Sequence, residues 1–132
     1  LARASGWNAV DGCLGRAEEL VSLTVQIESA TAVDNAAEIA AVDGIDQVFV
    51  GPSDLAASMG LLGQQTHPDV TDAVARTFEA VKAAGKRVGV NAFVPDQARK
   101  YLDAGASFVL VGADVGLMMN GAHAWADTWV RD

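Results

Sequence analysis

The chain has 132 residues, enough for one modest domain. Its 51% of hydrophobic residues exceeds what a small α+β domain needs, and suits a piece of a larger core. A formal net charge of -8, from 9 basic and 17 acidic residues, leaves no basic stripe for nucleic acid and argues equally against an anionic membrane surface.

The opening stretch LARASGWNAVDG has no initiator Met and reads as the interior of a longer protein. Cys13, in DGCLGR, is the only cysteine. It can form no internal disulfide, so a cytoplasmic setting is expected and Cys13 reads as structural. No apolar run approaches the ~18 residues of a membrane span, and the N-terminus lacks the order of a signal peptide.

The apolar run LTVQI (Leu23–Ile27) predicts a first strand, and Glu28 follows directly. AVDNAAEIAAV (Ala32–Val42) then sets Ala, Ile and Val at helical spacing. QVFVG (Gln47–Gly51) predicts a second strand. It runs into GPSD, which ends at Asp54, and LAASMG predicts a short helix. VTDAVARTFEAVKAAGK (Val70–Lys86) is the clearest helix. Val70, Val74, Phe78 and Val81 form its apolar stripe, and Gly85 suits its C-terminal cap. RVGVNAF (Arg87–Phe93) predicts a third strand. PDQARKYLDAGA (Pro95–Ala106) carries a helix start at Pro95 and a stop at Gly105. SFVLVG (Ser107–Gly112) predicts a fourth strand. The four runs do not alternate with polar residues, which predicts strands buried on both faces of a parallel sheet. Strand and helix alternate four times, so the class is α/β. A doubly wound sheet and part of a (β/α)8 barrel both fit, four units being about half of a ~250-residue barrel. No linker or low-complexity tract divides the chain, so residues 1–132 read as a single domain.

In either architecture the site lies at the C-terminal ends of the strands. Glu28 and Asp54 stand at the ends of successive strands, which lie about 4.8 Å apart. Two such carboxylates repel unless a cation sits between them. A hard divalent ion takes one or two carboxylates and fills its other positions with water and substrate. Two other readings stand beside this one: Glu28 as an acid at a helix start, and Asp54 as a helix N-cap. In GPSD, Gly51 lets the backbone come close and Pro52 stiffens the turn. The N–H groups of Ser53 and Asp54 could then hold a small carboxylate, or the turn could be an ordinary one. Asn91 is a polar residue in an apolar strand and needs a partner. Asp114, in VGADVG, either orients a ligand or caps the last helix. His67 and His123 have no motif partner. Met59, Met118, Met119 and the three Trp read as packing or interface residues.

VQIESATAVDN, GIDQVFVGPSDLAASMG and VGADVGLM, in that order, resemble the HpcH/HpaI aldolase/citrate lyase family, and the likeness runs along essentially the whole chain. LARASGWN is similar to the family's segment before its fifth helical region. The resemblance implies a metal-dependent class II pyruvate aldolase. Such an enzyme reversibly cleaves 4-hydroxy-2-oxo acids, of the 4-hydroxy-2-oxoheptanedioate type, to pyruvate and an aldehyde through a metal-stabilised enolate. It implies the C-terminal half of a (β/α)8 TIM barrel of the phosphoenolpyruvate/pyruvate type. Glu28 and Asp54 would be the metal ligands, for Mg, Mn or Co. The backbone amides of Ser53 and Asp54 would hold the pyruvate carboxylate, with Gly51 and Pro52 of the same turn also in the substrate site, and Asn91 would fall in the aldehyde-side pocket, where the family usually has an apolar residue. The last helix, Gly116–Val130, would swap onto a neighbouring subunit of a homo-oligomer, commonly a hexamer, with Trp125 and Trp129 at the interface. The family's catalytic Arg and His lie in the first half of its barrel, so no catalytic residue of that kind is expected in this chain. Two alternatives follow: a citrate lyase β or malyl-CoA lyase-like enzyme on the same barrel, or a catalytically incomplete fragment acting as a binding or assembly module.

Overall fold

Val, Ile and Phe favour strands because their side chains pack well on a pleated surface, and the four apolar runs follow that rule. The computed structural model describes residues 3–7 and 9–130, so Leu1, Ala2 and Asn8 of the opening stretch and the last two residues lie outside the described residues. Strands β1 (Thr24–Ile27), β2 (Gln47–Val50), β3 (Arg87–Asn91) and β4 (Phe108–Leu110) each fall inside the run that predicts them, trimmed at one or both ends. They form one sheet in chain order, and every pair is parallel. A doubly wound sheet reverses its strand order at a switch point. No reversal occurs among these four strands, so the topology is that of a barrel half.

Between the strands stand α2 (Ala30–Asp34) and α3 (Ala36–Ala40), then α4 (Pro52–Ser58) and α5 (Pro68–Ala83), then α6 (Pro95–Asp103). A short helix α1 (Ala17–Leu20) precedes β1, and α7 (Asp114–Trp129) closes the described chain. The helix expected over 32–42 is in fact two. It begins at Ala30 and breaks at Asn35, whose φ of -95° and ψ of 8° leave helical geometry. Asn is a weak helix former, and Asn35 is exposed, so no burial of its own side chain overrides that preference. At the far end of α5, Gly85 takes φ +71° just past the cap residue Ala84, the left-handed turn expected of a glycine stop.

The core lies between the sheet and α5. Ile27, Val48, Val50, Val88 and Val90 are fully buried on one face, and the Val70–Val74–Phe78–Val81 stripe of α5 is buried with them. The expectation of strands buried on both faces fails. Right-handed crossovers between consecutive strands put the connecting helices α2 to α6 on the same side. The other face carries Gln26, Phe49, Gly89 and Phe108 in one row across the four strands. Only Gly89 of that row is buried. The Phe108 ring covers it, so that a Cβ on Gly89 would collide with the ring. Phe108 also stacks on Phe49, with centroids 5.8 Å apart. The helix α7 starts two residues before its expected start and buries none of its residues.

Candidate metal and substrate site

The sheet register builds the site. Ile27 pairs with Val50, and the Gly51 N–H donates to the Ile27 carbonyl at 3.0 Å. The next residue of each strand end, Glu28 and Gly51, therefore lie against each other. A Cβ on Gly51 would stand 3.4 Å from Glu28 Oε2 and 3.0 Å from Gln26 Nε2. A larger residue would press on the carboxylate, and glycine leaves that space open. Gln26 Nε2 donates to Glu28 Oε2 at 2.7 Å and holds the acid. Gln26 escaped the reading of the sequence. Its signal was present, because residues two apart at a strand end share a face.

Glu28 is not a helix-start acid in the expected sense. Ser29 is the N-cap of α2, its Oγ accepting from the Ala32 N–H at 3.2 Å. Glu28 stands one residue before that cap with its carboxylate bonded to Gln26. Asp54 is not an N-cap either. Gly51 holds the cap position, Pro52 the first helical one, and Asp54 follows inside the first turn. The cause is Pro52, whose fixed φ and missing N–H suit the first helical position and draw the helix start ahead of Asp54. Ser58 lies four residues after Asp54 and so on the same helix face. Its Oγ accepts from the Ala30 N–H at 2.9 Å and donates to the Leu55 carbonyl at 3.0 Å. Ser58 thereby ties α4, the helix that carries Asp54, to the β1–α2 turn just past Glu28. Glu28, Ser53 and Asp54 are exposed, whereas Gly51 and Pro52 are buried.

These residues fit a hard divalent ion. The donors are carboxylate oxygens, and the space over Gly51 is one that a Cβ would fill. The pair leaves positions for water and substrate. Among the described residues no three His, Cys, Asp or Glu gather at one point, so two acids are what this chain offers.

Beside the acids lies a cavity of about 70 Å³ lined by Pro52, Ser53, Thr66, Asn91, Gln97 and Tyr101, among others. It brings Ser53 and Pro52 together with Asn91, but Glu28, Gly51 and Asp54 are not in its walls. Thr66, Gln97 and Tyr101 were not legible as site residues, since they sit in a loop and on an otherwise ordinary helix. Tyr101 is buried against Phe78, ring centroids 5.9 Å apart. Burial pushes its phenol above the ordinary 10.0. Gln97 lies close enough to offset part of that rise, yet its geometry falls short of a hydrogen bond and the hydroxyl has no partner.

Two of the remaining candidates make local hydrogen bonds at helix starts. His67 caps α5, its Nδ1 accepting from the Asp69 N–H at 3.2 Å. The expected capping of the last helix by Asp114 is displaced by one residue. Ala113 holds the cap, and Asp114 Oδ1 accepts from the adjacent Val115 N–H at 2.7 Å. His123 lies on the exposed α7. Cys13 is a half-buried free thiol. No helix among the described residues is long and apolar enough to cross a membrane.

Parallel strands in chain order, connecting helices on one side and acids at the carboxyl ends define a barrel-type α/β chain. It belongs to the HpcH/HpaI aldolase/citrate lyase family, which residues 6–121 match. It is 45% identical over 129 residues to a 5-keto-4-deoxy-D-glucarate aldolase of Salmonella arizonae, covering 98% of this chain and 50% of that protein. Among solved structures it is similar to an HpcH/HpaI aldolase/citrate lyase family protein from Burkholderia cenocepacia J2315. The TM-score there is 0.84 at 41% identity, covering 96% of this chain and 49% of that one. It is also similar to the citrate synthase SbnG, with TM-score 0.80 and 27% identity over 92% of this chain and 49% of that one. The chain thus spans about half the length of the curated relatives it matches.

Proposed function

We propose that this chain serves a divalent-metal-dependent aldolase that cleaves or forms the C–C bond of a 4-hydroxy-2-oxo acid. The observation that carries the reading is Glu28, held by Gln26 over the side-chain-free Gly51, beside the helix that bears Asp54. The name of the Salmonella relative supports an oxygenated keto acid as the substrate class. Glu28 and Asp54 hold the ion, which is Mg, Mn or Co. When bound, that ion supplies positive charge where negative charge develops on the keto oxygen. The other steps belong to the chain itself. Gln26 fixes the rotamer of Glu28. The N–H groups of Ser53 and Asp54, in a first turn with no intrahelical acceptor, bind the substrate carboxylate. Pro52 and Gly51 set the path of that turn. Asn91 meets the aldehyde side with a polar group, which favours a polar acceptor. The Arg and His that the resemblance implies fall to the half of the relatives that this chain does not cover.

The substrates are a 2-oxo acid and an aldehyde, in a cytoplasmic setting, with no nucleic acid or membrane as partner. The unburied apolar residues of α7, Leu117, Met118, Trp125 and Trp129, support a homo-oligomer in which that helix is covered by a neighbour, as in a hexamer. A second reading, a citrate-type lyase, is favoured by the likeness to SbnG.

In the natural-length protein, Glu28→Ala and Asp54→Ala should each lower turnover of 4-hydroxy-2-oxo acids by more than about a hundredfold, beyond what loss of an outer-shell partner costs. The circular dichroism should be unchanged. Undiminished turnover in either variant, or after EDTA, would sink the metal role. Cleavage of a CoA ester in place of the oxo acid would select the second reading.

A further inference from the structure

We propose that Ser58 is a positioning residue for the acid pair: it ties the turn that carries Glu28 to the helix that carries Asp54. The proposal rests on the metal reading above and assigns a role that neither acid can fill.

The first N–H groups of a helix have no intrahelical acceptor. The N-cap Ser29 satisfies the third of them in α2, that of Ala32, and leaves Ala30 unserved. The Ala30 N–H donates instead to Ser58 Oγ, 28 residues away in sequence, at 2.9 Å. Ser58 does not swivel to meet it by chance. Its own proton goes to the Leu55 carbonyl at 3.0 Å, so a lone pair of the hydroxyl is fixed toward Ala30. Among the described residues this is the only side-chain hydrogen bond that joins the β1–α2 turn to α4.

The spacing gives the bond its purpose. Ala30 is two residues past Glu28, and Ser58 is one helical turn past Asp54 on the same face. On the other side of the pair, the Gly51 N–H is bonded to the Ile27 carbonyl at 3.0 Å. The two acids are therefore bracketed by two hydrogen bonds, each crossing from one acid-bearing segment to the other. One of the two is backbone to backbone and comes with the sheet. The other depends on one hydroxyl. Leu55 and Ala56 anchor this seven-residue helix in the core, and removing the hydroxyl takes away its side-chain tie to the turn that carries Glu28. Ser58 is exposed, so its truncation opens no cavity.

The test is Mn²⁺ binding to the natural-length protein, followed by calorimetry and by the electron paramagnetic resonance of the free ion, with no substrate present. Ser58→Ala should weaken Mn²⁺ binding by about tenfold to a hundredfold, the usual range for residues that orient a ligand. Ser58→Thr, which keeps the hydroxyl, should restore it. The melting temperature of Ser58→Ala should fall far less than would account for the lost affinity. Unchanged Mn²⁺ affinity in Ser58→Ala overturns the proposal, and so does an equal loss in Ser58→Thr. Glu28→Ala is the control. If it leaves Mn²⁺ binding intact, the metal reading itself fails and the positioning role falls with it. Should Ser58→Ala not fold, Ser58→Cys, whose sulfur accepts weakly, carries the same expectation at smaller size.

Discussion

At the scale of single residues, the acids were legible and their exact settings were not. Glu28 stood out because an acid closes an apolar run, and that placement held. Asp54 was legible as a residue of the turn, but Pro52 took the start of the helix and moved Asp54 out of the cap. The same one-residue displacement met Asp114. Cap positions depend on local dihedral angles that a list of side chains does not contain. Tyr101 is the opposite case, a residue whose setting only the fold reveals. Its hydroxyl is buried without a partner. Burying an unbonded hydroxyl costs about 1–3 kcal/mol. Tyr101→Phe should therefore be neutral or stabilising by up to about 1 kcal/mol in urea unfolding, and a clear loss of stability would mean that the hydroxyl has a partner after all. The alkaline limb adds a sign. The folded phenol titrates above 10.0, so the unfolded chain loses its proton first and wild-type stability falls as pH rises past about 10. The variant should lack that part of the loss.

At the scale of elements, the Val-rich runs located all four strands because β-branched side chains crowd a helix and suit a pleat. The α5 stripe was equally plain, since a 3.6-residue period over sixteen residues leaves little room for another reading. The break at Asn35 was hidden, because Ala on both sides of it supports helix. The covering of one sheet face only was also hidden, because it follows from crossover handedness and not from any strand's composition. Gly89 shows how the open face is ordered. The Phe108 ring lies where a side chain on Gly89 would be, and it stacks on Phe49. Gly89→Ala should destabilise by about 1–3 kcal/mol, the cost of overpacking. In a Phe108→Ala background the same change should cost much less. Additive losses in this double-mutant cycle would show that the ring does not set the requirement for glycine.

At the scale of the whole molecule, the half-barrel order was foreseen as one of two options, and strand order decided between them. The molecule keeps its large buried aromatic side chains, Phe78 of α5 and Tyr101 of α6, packed against each other, while all its indoles lie elsewhere. Trp7, Trp125 and Trp129 are 64%, 70% and 72% exposed, the last two stacked on one face of α7. Emission from this chain thus reports the surroundings of its two ends and is blind to the core. The fluorescence of the isolated chain should already be that of indole in water, and urea should hardly shift it while the circular dichroism melts. A blue shift on raising protein concentration would mark the moment something comes to cover α7. A blue-shifted spectrum in the dilute monomer would mean that the helix folds back on its own chain. Trp125 and Trp129 are in effect a built-in colour sensor for contact at that helix.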